Sequence, residues 1–256
     1  MIEKLLEIAA KAGSEAMKYY GLSEGTIQKQ DESPLTLADC ASHRCIVDLL
    51  REAYPEIPVL SEESTEEELA GRKNWHTFWL VDPLDGTKEF IKQSGEFTVN
   101  IALVVGKEPV AGVIHAPVLG KSWSAEKGKG AQLHEEKKRP NVLRSRQWQA
   151  KEPVFVASRD HAGPQVKSLI EKYPAAITTS MGSSLKFCLV AEGKADLYLR
   201  DVPTMEWDTA AAQIIVEEAG GLLTDLQGKR LSYNKAVLRN PALLTLGDPT
   251  FWPELG

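Results

Sequence analysis

The sequence predicts an α/β protein with an antiparallel-leaning first half and an alternating second half. Three observations lead there. Apolar side chains recur at helical spacing near the N-terminus, and from Phe78 the period changes to a series of short strands. Beyond the polar, proline-containing run EEKKRPNVLRSRQ, strands and helices alternate. That run marks the expected boundary between a first unit, residues 1–146, and a second, residues 147–256.

The elements follow in order. Ile2, Leu5, Leu6, Ala9, Ala12 and Ala16 form the stripe of a first helix, which Gly21 stops. After a loop with Pro34, TLADCASHRCIVDLLREAYP is helical through Leu37, Ala41, Ile46, Leu49 and Leu50. Its Thr36 and Asp39 have capping-box spacing. Pro55 and Pro58 end this helix before a short strand in PVLSEES. FWLV, FTVNIALVVG, PVAGVIHAPV and KSWSAEKGKGAQL read as successive strands, several with glycine turns between them. The second half reads as strand VFVAS, helix PQVKSLIEKYP, helix SSLKFCLVAEGKA, strand DLYLR, helix WDTAAAQIIVEEAG and strand LLTDL. Gly220 and Gly221 stand at the expected cap of the last helix.

Composition narrows the function. A net charge of −6 argues against non-specific nucleic-acid binding, but leaves room for an anionic small substrate whose approach local cations permit. No apolar stretch approaches the roughly 20 residues that span a bilayer, and the first helix mixes charges into its stripe, unlike a signal peptide. The expected location is cytoplasmic. No lipid anchor or basic surface helix is evident, although peripheral association with the inner membrane stays open. Cys40, Cys45 and Cys188 lack zinc-ligand spacing and read as small buried hydrophobes in a reducing compartment. No feature sets an oligomeric state.

Acids cluster where strands end and helices begin. Glu62 and Glu63 follow the strand of PVLSEES, Asp82 and Asp85 follow FWLV, and Asp39 and Asp208 stand in first helical turns. Each has a local alternative: a solvated loop, a turn, or a helix-start acid favoured by the macrodipole. Together they match the chemistry of magnesium, a hard ion that takes oxygen ligands and can clamp a phosphate when paired with a second ion. In D-P-L-D-G-T, Pro83 stiffens the turn, the Leu84 carbonyl offers a further oxygen, and Gly86 lets the backbone approach a phosphate. The amides of Gly86 and Thr87 are then candidate donors to its oxygens.

VDPLDGTKEF resembles the D-P-x-D-G-T-x-x-F motif of the inositol-monophosphatase-like superfamily. WDTAAAQIIVEEAGG resembles its second motif, SEES its upstream acid pair, and the aspartate of TLAD its early acid, all in the family's order. The resemblance spans nearly the whole chain and implies a sugar-phosphatase-like αβαβα sandwich with two packed subdomains. It implies two or three Mg²⁺ ions. Glu62, Asp82 and the Leu84 carbonyl would hold one, and Asp82, Asp85 and Asp208 a second. A third, weaker ion would associate with Glu62 and Asp39. Thr87 and Asp39 would position and deprotonate the attacking water, and lithium would inhibit.

Within that superfamily, TKEF and TTSMGSSLKFCLVAEGKADLYLR are similar to the 3'(2'),5'-bisphosphate nucleotidase branch, in particular to bacterial enzymes of sulfur assimilation. The implied substrate is 3'-phosphoadenosine 5'-phosphate or its sulfated precursor, with no nucleic-acid partner. By the same similarity, Glu62, Leu84, Asp85, Gly86, Thr87 and Asp208 would meet the reacting phosphate. Gly182, Ser183, Lys186 and Arg200 would contact the ribose and 5'-phosphate, and His161 the base. Local alternatives stand beside these: a solvated lysine, a strand-end arginine and a loop histidine. The rival readings are an inositol monophosphatase of the same fold and a non-catalytic sensor of Mg²⁺ and nucleotide.

Overall fold

The computed structural model describes residues 1–22, 26–28, 34–157 and 163–254. In chain order, α1 (Ile2–Met17) is followed by the antiparallel pair β1 (Thr26–Gln28) and β2 (Pro34–Thr36), then α2 (Leu37–Ala53) and β3 (Val59–Ser61). Next come β4 (Thr77–Asp85), α3 (Thr87–Ile91), β5 (Thr98–Val105), β6 (Glu108–Ala116), β7 (Lys121–Glu126), β8 (Ala131–Glu135) and β9 (Asn141–Val142). The second half comprises β10 (Val154–Ala157), α4 (Pro164–Lys172), β11 (Ile177–Ser180), α5 (Leu185–Ala191), β12 (Leu197–Arg200), α6 (Glu206–Glu218), β13 (Leu222–Asp225) and β14 (Leu243–Leu246).

Two sheets result. One has seven strands in sequence order from β3 to β9, antiparallel throughout except for the parallel pair β3 and β4. The other has the order β11-β10-β12-β14-β13, with β11, β10 and β12 parallel and β14 antiparallel to both neighbours. Alternation along the strands sorts the apolar residues into layers. Trp79, Val81, Ile101 and Val113 face α1 and α2. Phe78, Leu80, Ala102 and Ile114 face the opposite way, toward α5 and α6, which also meet Val156, Tyr198 and Leu223 of the second sheet. Phe155, Leu197, Leu199 and Leu244 cover the far face of that sheet, together with Val166 and Leu169 of α4. The layers therefore read α, β, α, β, α, the sandwich that the family likeness implies.

Small residues let α6 come close to the first sheet. A Cβ on Gly112 of β6 would lie 2.9 Å from the Ala211 Cα and 2.7 Å from Ile214 Cγ2, so only glycine fits beneath the alanine run of this helix. The far end of α6 closes with the Gly221 amide donating to the Val216 carbonyl and the Gly220 amide to Glu217, with Gly220 at φ +98°. Both glycines thus serve as the sequence suggests.

Several short elements lay below the reach of periodicity. KSWSAEKGKGAQL divides into β7 and β8 around Gly128 and Gly130, both at positive φ. β9, β11, β14 and α3 have five residues or fewer, and β11 is a polar edge strand with no apolar alternation. The expected helix over SSLKFC begins only at Leu185, since Ser183 takes a left-handed φ of 52°. Among the described residues, no helix is long and apolar enough to cross a membrane.

One packing detail carries a pH dependence. The His115 ring of β6 lies against the backbone of α1, where a Cβ on Gly13 would come within 2.8 Å of its Cδ2. Its Nδ1 is 2.8 Å from Ser122 Oγ, and burial lowers its pKa from 6.5 to about 4. The unfolded chain therefore takes up this proton before the folded chain does. The stability is complete above about pH 6.5, declines as pH falls toward 4, and levels off below, a loss of about 3 kcal/mol at most. Melting temperatures of wild type and His115→Gln between those pH values should show a flatter slope in the variant. Equal slopes would remove His115 from the account.

Candidate active site

β4 continues through the D-P-L-D segment instead of turning there. Asp82 pairs with Asn100 and Asp85 with Thr98, so three steps along β4 match two along β5. This bulge places two acids at one strand end. The chain turns only at Gly86, whose φ of +92° opens α3. The adjacent parallel strand β3 delivers Glu62, whose amide donates to the Val81 carbonyl at 3.1 Å. Asp208 arrives from the first turn of α6, which rests on the same sheet.

Each acid is held by its own donors. Asp82 is almost fully buried and accepts from the Leu84 amide at 3.1 Å. Asp85 Oδ2 receives the hydroxyls of Ser183 at 2.7 Å and Ser184 at 2.6 Å. Met205 N–H donates to Asp208 Oδ2 at 2.9 Å. Asp39 completes a capping box: Oδ2 accepts from Thr36 N–H at 2.7 Å and from Thr36 Oγ1 at 2.5 Å. Its other oxygen, Oδ1, accepts from Thr87 Oγ1 at 3.3 Å. Asp39 is therefore both a helix-start acid and a neighbour of the turn.

Burial drives the Asp82 carboxyl well above the usual carboxylate range, and Glu62, Asp85 and Asp208 push it further. Asp208 is raised in the same way, by burial first and then by Asp85 and Glu62. The acids thus stand within mutual repulsion. Among the described residues, no three of His, Cys, Asp or Glu form a ready-made cage. The donor set is nevertheless all oxygen, and no lysine or arginine of the described residues pairs with Asp82 or Asp208. Repelling hard donors without a protein cation fit a hard divalent ion that keeps part of its water shell.

A cavity of about 360 Å³ opens beside these acids. Asp85, Thr87 and Asp208 line it together with Lys186 and Arg200. Lys186 is buried at 5% exposure, donates to the Met181 carbonyl at 3.1 Å and lies 5.8 Å from the Tyr198 ring centre. Burial lowers its pKa to about 8 against the attraction of Asp85. Arg200 Nε donates to the Val202 carbonyl at 3.2 Å. Gly86 and Ser183 also line the cavity, whereas the Gly182 amide donates to Glu96 Oε2 at 2.8 Å. His161 lies outside the described residues.

Sequence reasoning missed the side chains behind the acids. Ser184 Oγ lies 3.1 Å from the Asp208 carbonyl as well as beside Asp85. Asn100 donates to Ser184 Oγ at 2.9 Å, and Thr98 Oγ1 lies 2.7 Å from Ser183 Oγ. The one available signal was a polar residue inside an apolar strand, the asparagine of FTVNIALVV.

The layered sandwich and its acid-lined cavity define a phosphatase. The chain belongs to the inositol monophosphatase family, whose sequence profile matches residues 1–247. It is 46% identical over 238 residues to the 3'(2'),5'-bisphosphate nucleotidase CysQ of Shigella flexneri, with 91% of this chain and 94% of the relative covered. The crystal structure of CysQ from Bacteroides thetaiotaomicron, 39% identical, superposes with a TM-score of 0.82 over 95% of this chain and 96% of that one. An IMPase from Thermotoga maritima is 26% identical, with a TM-score of 0.74 over 94% and 89%.

Proposed function

We propose that this chain is a magnesium-dependent phosphatase that removes the 3'-phosphate of 3'-phosphoadenosine 5'-phosphate, and accepts its sulfated precursor. The observation that carries this reading is the shared cavity: carboxylates suited to metal, the buried Lys186 and the half-buried Arg200 line the same space. A substrate with two anionic groups needs both, whereas a substrate with a single phosphate has no use for Lys186 and Arg200. The identity to nucleotidases, well above that to the IMPase, supports the same choice.

The family resemblance implies two or three ions. Glu62, Asp82 and the Leu84 carbonyl would hold one, Asp82, Asp85 and Asp208 a second, and Glu62 with Asp39 a third. When bound, magnesium supplies positive charge to the phosphate and lowers the pKa of its water. The chain itself handles the proton. Thr87 Oγ1, donating to Asp39 Oδ1, offers its own lone pair to a water in the cavity, and the proton passes along this pair to the carboxylate. The two Thr36 donors at Oδ2 keep that carboxylate aimed. This water-activating pair also argues against a sensor that only binds, which would have no use for it. The seam at 146/147 then divides labour: residues 1–146 supply Asp39, Glu62, Asp82, Asp85 and Thr87, and residues 147–256 supply Lys186, Arg200 and Asp208.

Lys186→Met tests the substrate assignment. Removing one buried charge-assisted contact should lower kcat/KM on the bisphosphate nucleotide by about tenfold to a hundredfold. Hydrolysis of adenosine 3'-monophosphate should change far less. Equal losses on both would show that Lys186 does not recognise the second phosphate.

A further inference from the structure

In T-K-E-F, the stretch that resembles the nucleotidase branch, Lys88 and Glu89 both line the cavity. Glu89 has no task in the metal site or in the proton path. Its side chain lies against two glycines from different segments. A Cβ on Gly182 would come within 2.7 Å of Glu89 Cγ, and a Cβ on Gly86 within 3.2 Å of Glu89 Oε2. Gly182 is fixed on its other side by Glu96, which takes its amide at 2.8 Å. A Cβ on Gly182 would also lie 2.7 Å from the Glu96 carbonyl oxygen, so this position leaves no room for a side chain between Glu89 and Glu96.

The carboxylate placed this way has no hydrogen-bond donor and no ion-pair partner among the described residues. Half-buried and lining the cavity, it is open to a ligand that brings the donor. A phosphate group cannot be that ligand group, because it carries the same charge. Glu89 Oε2 lies near Gly86, which sits between Asp85 and Thr87 at the acid side of the cavity. A donor accepted by Glu89 therefore belongs close to the ester being cleaved.

We propose that Glu89 is a specificity-determining residue whose carboxylate accepts a hydrogen bond from the hydroxyl adjacent to the reacting phosphoester. In a ribose 3'-phosphate this is the 2'-hydroxyl. The inference rests on reading the site as a 3'-nucleotidase. It extends that reading from the phosphates to the sugar between them. A hydroxyl is favoured over an amino group of the base, because the base is attached on the far side of the ribose from the 3'-oxygen.

The test measures kcat/KM of wild type, Glu89→Ala and Glu89→Gln on adenosine 3',5'-bisphosphate, its 2'-deoxy analogue and the inosine analogue. Wild type should favour the ribose substrate over the deoxy analogue by about tenfold to a hundredfold, the range for one hydrogen bond to a charged acceptor. In Glu89→Ala that ratio should fall to near one, and Glu89→Gln, which keeps an acceptor oxygen, should retain part of it. A ratio is insensitive to the fraction of folded enzyme. Equal losses on ribose and deoxy substrates would make Glu89 structural and overturn the proposal. So would discrimination that follows the inosine analogue, or a wild type that hydrolyses both sugars equally. A wild type inactive on every nucleotide would instead overturn the nucleotidase reading.

Discussion

Asp85→Ala should abolish phosphatase turnover, with kcat/KM reduced by about a thousandfold or more, since a metal that polarises phosphate and water lowers the barrier by several kcal/mol. The expectation follows from how firmly Asp85 is placed. Two serine hydroxyls and the Asn100 amide converge on Oδ2, at 2.7, 2.6 and 3.4 Å, so Oδ1 is the oxygen that would serve a metal ion. A side chain held by three donors from β5 and the loop before α5 is a poor candidate for a solvated turn acid. Steady-state phosphate release at saturating Mg²⁺ checks the loss. Magnesium binding by calorimetry on the same protein should weaken in parallel. A variant with normal turnover would exclude Asp85 from the metal site.

Asp39→Asn should lower kcat by about a hundredfold to ten-thousandfold with KM little changed, as expected when a general base loses its charge but keeps its shape. Asparagine can still cap α2 through its carbonyl oxygen, so the fold should survive, with only a small shift in melting temperature. The comparison with Thr87→Ala is informative. If Thr87 Oγ1 carries the proton to Asp39 Oδ1, the two single variants and the double variant should be slowed by similar factors, because they break the same path. Independent, multiplicative losses would separate the two residues and contradict the relay.

How much of this was legible depended on the length of each signal. Periodicity over 16 and 17 residues placed α1 and α2, and the acids of the two motifs stood at element ends that the pattern also marked. The bulge at Asp82 was invisible, because proline and glycine read as a turn whether or not the strand continues through them. The partners of Asp85 were invisible for another reason. Thr98 and Asn100 sit on β5 and Ser184 before α5, and only tertiary packing reveals that they share one carboxylate oxygen's surroundings. Gly112 shows the converse case. Its glycine is explained by a helix about a hundred residues further along the chain, which it lets approach the sheet, so that Asp208 reaches the strand end where Asp82 waits. Glu89 stands within its motif, yet its packing against Gly182, nearly a hundred residues away, shows only in the fold.

The measurement that tests the central claim most directly is phosphate release by the wild-type protein from 3'-phosphoadenosine 5'-phosphate and from inositol 1-phosphate, before EDTA, after it, and after Mg²⁺ is restored. Release from the nucleotide should lie far above that from the inositol phosphate, vanish with the chelator and return with magnesium. Release that survives EDTA, or a preference for the inositol phosphate, would contradict it.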